Sequence, residues 1–456
     1  MKFGIKNLGP IKEANIELGD LTIICGKNNC GKTYLTYTLY AFLHEIKRNF
    51  ILSDFADAFE TCYKEGCSSL NISYVKQNFN NSLLNAIPGF IKHIPELLAI
   101  NPSTIVATQC LASLDDEEFE IFKKTASESK FQVTEKCSFS FKKEKESEKI
   151  DISLENMGYR LPRKENLRNL FNFVCSLFIN KVFPDVFSLT GERSGIAIFG
   201  DDIAEFSRKM KNETTIQFTK LRQKIVESVP ESNSKFSLPI TQELAFFQNI
   251  KVIRRRSSYI ASEHHEILDL ADNISGGHYD FDDYSGIQYF PVDSNSALNL
   301  IESSSSVKSL VEFSFYLRHC AKKNQILMID EPELNLHPEN QRKLARLLAM
   351  LVNAGIKVFI TTHSDYIIRE FNTMIQLKQD KPHITKIKAA EGYSDSELLD
   401  ASRVRAYVAK RQDDGVIFDT AAISQDDGII ISTLDDVIDR MNQIQDAIIW
   451  GGEEHA

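Results

Sequence analysis

Three short stretches hold residues whose types and spacing suit phosphate chemistry. In Gly26-Lys27-Asn28-Asn29-Cys30-Gly31-Lys32-Thr33, two glycines bracket four residues and precede a lysine and a hydroxyl. Glycines let backbone N–H groups curl around phosphate oxygens, and a helix starting there adds the favourable end of its dipole. Lys32 is then placed to reach the β- and γ-phosphates of a nucleotide, and the Thr33 hydroxyl to ligate Mg²⁺. In the second stretch, "ILMI" runs into Asp330-Glu331. A buried strand of that kind delivers both carboxylates to the sheet edge where open α/β sheets take ligands. There Asp330 is expected to hold Mg²⁺ through its water shell and Glu331 to polarise an attacking water, which points to hydrolysis beyond mere binding. The third stretch, "VFITTHS", brings His363 to the same edge, where its imidazole is expected to contact the γ-phosphate. A lone histidine at a strand end is usually structural; its position after the other two motifs favours the functional role.

Each motif needs an element to carry it. "LTIIC", residues 21–25, is a short buried strand, and Leu35, Leu39, Phe42, Leu43 and Ile46 lie on one face of a helix expected to start at Thr33. "FGIKNL" and "EANIEL" read as strands about a turn at Gly9 and Pro10. Residues 50–182 read as a mainly helical insertion with a small antiparallel strand pair around "KFQVTEKCSFSFKKEKE" and "EKIDISLE". "VFSL" then leads into "TGERSG" over 183–199, and 200–282 reads as a second helical arm. The core pattern resumes over 283–395, and strands and a terminal helix follow over 396–456. The fold class expected is α/β, with 1–49, 183–199 and 283–395 forming one head.

Composition narrows the partners. The formal net charge of −10 argues against a surface devoted to nucleic acid, which needs local positive potential. Lys251, Arg254, Arg255 and Arg256 in "KVIRRRSS" form the strongest basic cluster and read equally as a contact for nucleic-acid phosphates or an acidic partner, or as a solvated helical face. Arg160, Arg163 and Lys164 are a weaker cluster, and Asp115 to Glu118 read as a solvated helix start. The eight cysteines include no zinc-like pairs, and we read them as reduced thiols. No apolar run approaches the roughly 18 residues of a membrane span, and the amino terminus reads as neither signal peptide nor anchor, so a cytoplasmic protein is expected.

The order of phosphate loop, serine-rich helix start, Asp-Glu strand and His strand resembles the ABC-type ATPase head of the RecF, SMC and OLD-like branch, over residues 1–45, about 185–195 and 285–395. "LTGERSG" and "IESSSSVKSL" look like elements of that branch's stand-alone bacterial ATPases, such as the subunits of the Septu and PARIS phage-defence systems. The resemblance implies ATP and Mg²⁺ as cofactors, and a homodimer or higher oligomer in which the signature helix of one copy closes on the ATP of another. Ser303, Ser304, Ser305 and Ser306, with Val307 and Lys308, match that signature, although Ser306 stands where glycine is common. Asn335 and His337 fall at the dimer-facing loop, and Arg193 is a candidate for phosphate or interface contact, or equally a surface arginine in a turn.

The tail lacks the acidic strand-end pattern of a Toprim nuclease and the constellation of an HNH nuclease. The resemblance therefore implies an ATPase that controls a separately encoded effector, with a nuclease in anti-phage defence as the leading expectation. A RecF-like ATPase that binds DNA directly, through Arg254, Arg255 and Arg256, is the alternative.

Overall fold

The computed structural model describes residues 1–49, 53–114, 127–134, 137–156, 183–200, 236–294, 296–431 and 440–448. The acidic cluster at 115–118 and the basic residues Arg160, Arg163 and Lys164 lie outside them, as does Cys175. The chain divides into two units: residues 1–8, 15–17 and 38–186 form one, and residues 9–14, 18–37 and 187–456 the other.

In the first unit, β1 (Lys2–Leu8) pairs antiparallel with β5 (Gln109–Ser113), Lys2 opposite Ser113. A separate antiparallel sheet runs β4 (Cys67–Asn71), β8 (Lys149–Asn156), β7 (Cys137–Lys143), β6 (Ser127–Thr134). Alternation explains β7 and β8: Phe139, Phe141, Ile150 and Ile152 are all buried, on strands where successive side chains face opposite sides. The sequence suggested only a strand pair here; "CSSLN" carries no such alternation, and β4 becomes a strand by pairing with β8. Of the helices expected in this segment, "SDFADAFETCY" lies in α2 (Ser53–Glu65) and most of "SLLNAIPGFIKHIPELLAI" in α3 (Ile72–Leu98), whereas the stretch over 163–182 lies outside the described residues. Phe42, from α1 (Lys32–Asn49), packs between Phe3 and Phe90 with ring centroids 5.1 and 5.3 Å away.

The second unit is built on a sheet in the order β2 (Ile11–Glu17), β16 (Gly415–Thr420), β15 (Val404–Gln412), β3 (Leu21–Gly26), β14 (Lys357–Thr362), β13 (Ile326–Asp330), β9 (Val186–Leu189). Strand β3 is central, with β14 and β15 parallel on its two sides, so that Ile23 is opposite both Ile360 and Ala406. Strands β3, β13 and β14 are buried almost throughout, which is why they read as apolar runs without alternation. The strands that the sequence sets apart at the carboxyl end are thus neighbours of the first buried strand.

Helices cover this sheet: α4 (Leu238–Gln248), α5 (His265–Ser275), α6 (Ser305–His319), α7 (Pro338–Asn353) and α8 (Asp365–Gln376). They contribute Phe246, Leu268, Phe315, Leu348 and Phe371 to one continuous core with Ile23 and Ile360. A hairpin of β10 (Gly277–Asp282) and β11 (Gly286–Pro291) carries the short β12 (Leu298–Asn299). The strand β10 falls inside the segment read as helical. The reason is local: Gly276, with φ of 70°, caps α5 in the left-handed conformation, and "GHYDFD" alternates buried and exposed residues.

Candidate active site

The parallel strands β3, β13 and β14 end side by side, so the sheet assembles the three motifs without help from the loops. At the end of β3, Gly26 takes φ of +143° and a Cβ there would lie 2.8 Å from the Ala409 carbonyl of β15. Only glycine fits. Lys27, Asn28 and Asn29 are exposed along the loop, Cys30 is buried beneath it, and Gly31 (φ +72°) precedes α1. Lys32 is buried, its Nζ donating to the carbonyls of Gly26 and Lys27, both at 3.0 Å. The ammonium is therefore held inside the loop that it is expected to serve. Arg411 of β15 also reaches the loop, donating from Nη2 to the Asn29 carbonyl at 2.8 Å.

The second motif meets the first directly. Thr33 Oγ1 donates to Asp330 Oδ2 at 3.0 Å, and the Thr361 hydroxyl of β14 donates to Asp330 Oδ1. Burial raises the Asp330 pKa above its ordinary value, and these two hydrogen bonds work against that rise. Glu331 leaves the strand with φ of 50°, unusual for a residue with a Cβ, and its N–H is shared between the Thr361 carbonyl and hydroxyl, both at 3.1 Å.

His363 stands between two carboxylates: Nδ1 is 3.6 Å from Glu331 Oε1 and 3.4 Å from Glu333 Oε1. Glu333 is buried, and its Oε1 also accepts from the Thr362 hydroxyl and the His363 N–H, both at 2.8 Å. The structure thus brings Lys32, Thr33, Asp330, Glu331 and His363 to one sheet edge. Glu333 was missed by sequence reasoning, although a third acid three positions after Asp330 was its visible signal.

Arg193 corrects the reading of its turn. It is 3% exposed, neither a surface arginine nor free to meet phosphate or a partner. Nη1 donates to the carbonyls of Thr190 (2.9 Å) and Asp330 (2.7 Å), Nη2 to that of Glu331 (2.7 Å), and Nε to that of Ser309 (3.0 Å). Burial lowers its pKa, opposed by the charges of Glu243, Asp330, Glu333 and Glu312, yet a guanidinium starts so high that it stays charged. Behind it lie two further buried acids that the sequence did not single out. Glu243 Oε2 accepts from the Thr190 hydroxyl at 2.6 Å and its N–H at 3.2 Å. Glu243 Oε1 and both Glu312 oxygens have no hydrogen-bond partner among the described residues. Burial pushes Glu243 up to about 7 and Glu312 well above the usual carboxylate range.

The serines form the start of α6. Ser304 is the N-cap, accepting from the Val307 N–H at 3.3 Å and lying 2.8 Å from the Ser306 hydroxyl. Ser304 and Ser305 are exposed, whereas Ser303 is buried and donates to the Asn299 carbonyl. Asn335 and His337 are exposed, with His337 capping α7. The basic cluster is partly consumed: Arg254 donates to the Phe281 carbonyl at 2.6 Å and, with Lys251, pairs with Asp283. Arg255 and Arg256 remain exposed.

The donors available to a cation, the Thr33 hydroxyl and the Asp330 carboxylate, are hard oxygens 3.0 Å apart, which suits Mg²⁺. Among the described residues no three His, Cys, Asp or Glu side chains are placed to hold a metal by themselves. An ion here would accordingly take its other ligands from water and nucleotide phosphate, as Mg²⁺ commonly does. No helix among the described residues is long and apolar enough to cross a membrane.

Among solved structures, the chain is similar to an Smc head bound to the C-winged helix domain of ScpA (12% identity, 93% of this chain and 98% of that one, TM-score 0.36). An SMC head domain from Thermotoga maritima matches at 10% identity over 92% and 98%, TM-score 0.32. An Smc head with an extended coiled coil, bound to the C-terminal domain of ScpA and derived from Pyrococcus furiosus, matches at 12% over 97% and 98%, TM-score 0.34. No curated protein matches. A family model described as the AAA ATPase domain matches residues 1–184 and 190–368, most of the chain and all three motifs, and the protein belongs to that family.

Proposed function

We propose that this chain binds and hydrolyses ATP at the edge formed by β3, β13 and β14. The observation that carries this is the direct hydrogen bond from Thr33 of the phosphate loop to Asp330 of the acidic strand, which joins two motifs far apart in sequence at one point. Bound Mg²⁺ would neutralise phosphate charge and fix the orientation of the terminal phosphate. Thr33 and Asp330 would hold the ion. Lys32 exchanges its two loop carbonyls for phosphate oxygens, Glu331 orients and deprotonates the attacking water, and His363, steadied by Glu333, donates toward the γ-phosphate. Gly26, Lys27, Asn28, Asn29, Cys30 and Gly31 supply the backbone around the phosphates.

In the same reading Ser304, Ser305 and Ser306 cap the nucleotide of a second copy, so that two chains close around two ATP molecules. The exposure of Ser304 and Ser305 at a helix start supports this, since N–H groups there favour anions. Closure or hydrolysis then governs a separately encoded effector, with a nuclease in anti-phage defence as the specific proposal. The sequence resemblance supports that last step. Direct DNA binding remains the second reading and would rest on the exposed Arg255 and Arg256, because Arg254 is already engaged.

Lys32→Ala is expected to abolish ATP binding, and Glu331→Gln to keep binding while lowering turnover at least about a hundredfold. Equilibrium binding of a fluorescent nucleotide and phosphate release check the two. ATP binding by Lys32→Ala at wild-type strength would sink the site. Unimpaired phage restriction by Lys32→Ala cells would sink the defence role alone.

A further inference from the structure

A guanidinium is costly to bury, and Arg193 directs all four of its hydrogen bonds to main-chain carbonyls rather than to a carboxylate. Those carbonyls come from three separate segments: the Thr190 turn after β9, the end of β13 at Asp330 and Glu331, and the first turns of α6 at Ser309. Two of them belong to the residues expected to hold Mg²⁺ and to activate water. Another, that of Ser309, lies on the helix that starts at the serine run. Glu331 needs the support most, since its backbone sits at φ of 50° without being glycine.

We propose that Arg193 is a positioning residue for ATP hydrolysis: by bonding the carbonyls of Asp330, Glu331 and Ser309 together, it fixes the Glu331 carboxylate relative to both β13 and α6. This rests on the ATPase reading above. Arginine is required because its planar fork reaches several acceptors at once, whereas a lysine ammonium would satisfy one segment and leave others unpaired. Glu243 and Glu312 complete the arrangement. These buried acids favour the charged guanidinium while all four of its hydrogen bonds stay on the carbonyls. Thr190 links the two layers, its carbonyl accepting from Arg193 and its hydroxyl donating to Glu243.

The test uses the full chain with two variants: Arg193→Lys, which keeps the charge, and Arg193→Met combined with Glu312→Gln, which removes a positive and a buried acidic group together. Each is measured for ATP affinity, kcat and single-turnover hydrolysis. The expected result is a fall in kcat of about tenfold or more with ATP affinity within about threefold of wild type, a split that a general loss of structure does not produce. In a Glu331→Gln background the Arg193 change should add little to the loss, because it acts through Glu331. A folded Arg193 variant with kcat within about twofold of wild type, or a full additive loss in the Glu331→Gln background, overturns the proposal. Failure of the wild-type chain to bind ATP would instead overturn the reading of the whole site, and this role with it.

Discussion

At the scale of single residues, the site works by satisfying a buried carboxylate from two sides. Thr361 both donates to Asp330 and receives the Glu331 N–H, so Thr361→Val leaves Asp330 Oδ1 short of its donor and the Glu331 N–H with the Thr361 carbonyl alone. A loss of about 1–3 kcal/mol of stability is expected, read from urea denaturation midpoints, together with slower hydrolysis. The Glu243–Glu312 pair makes a prediction about pH. Glu243 titrates near 4.5 when unfolded and is pushed up to about 7 in the fold. Between these values the folded chain holds the extra proton, so stability is greatest at the acidic end of the window and falls as the pH rises through about 7. Melting temperature should decline from pH 5 to 8, and Glu312→Gln, which removes the neighbouring acid, should flatten that decline. An unchanged slope would mean that Glu243 does not hold its proton in the fold. Neither acid was legible as part of a site. Glu312 is the one charge within "LVEFSFYL", but nothing in that helix indicates Glu243 or Arg193. Arg193 itself sits in a Gly-Ser turn whose local character is that of a surface, and only the carbonyls of Ser309, Asp330 and Glu331 make it interior.

At the scale of elements, strands announce themselves when they are buried on both faces. "LTIIC", "ILMI" and "VFITT" were legible because central parallel strands read as apolar runs, and each ends in the residue types expected at a ligand edge. β4 was not, because "CSSLN" earns its conformation from pairing rather than propensity. The loop after β3 depends on close backbone approach. Gly26→Ala would place a methyl 2.8 Å from the Ala409 carbonyl at φ of +143°. Its expected effect is a weakening of ATP binding by more than about tenfold, measurable by nucleotide titration, with β15 displaced rather than the loop merely stiffened.

At the scale of the molecule, the sheet of the second unit interleaves distant parts of the chain. The sequence shows that β15 and β16 exist but not where they insert, because a strand's neighbours are chosen by pairing across long separations. Cutting the chain before Val404 removes both strands and bares the buried edge of β3. The expected outcome is insoluble protein, since an uncovered apolar strand edge pairs with other chains; soluble, nucleotide-binding protein from that truncation would refute it. The contact between Gly26 and Ala409 also has a temporal side. The phosphate loop leaves the ribosome hundreds of residues before the strand that backs it, so a growing chain carries the nucleotide motif through that interval without the wall that shapes it. Competence to hold ATP thereby waits on the synthesis of β15.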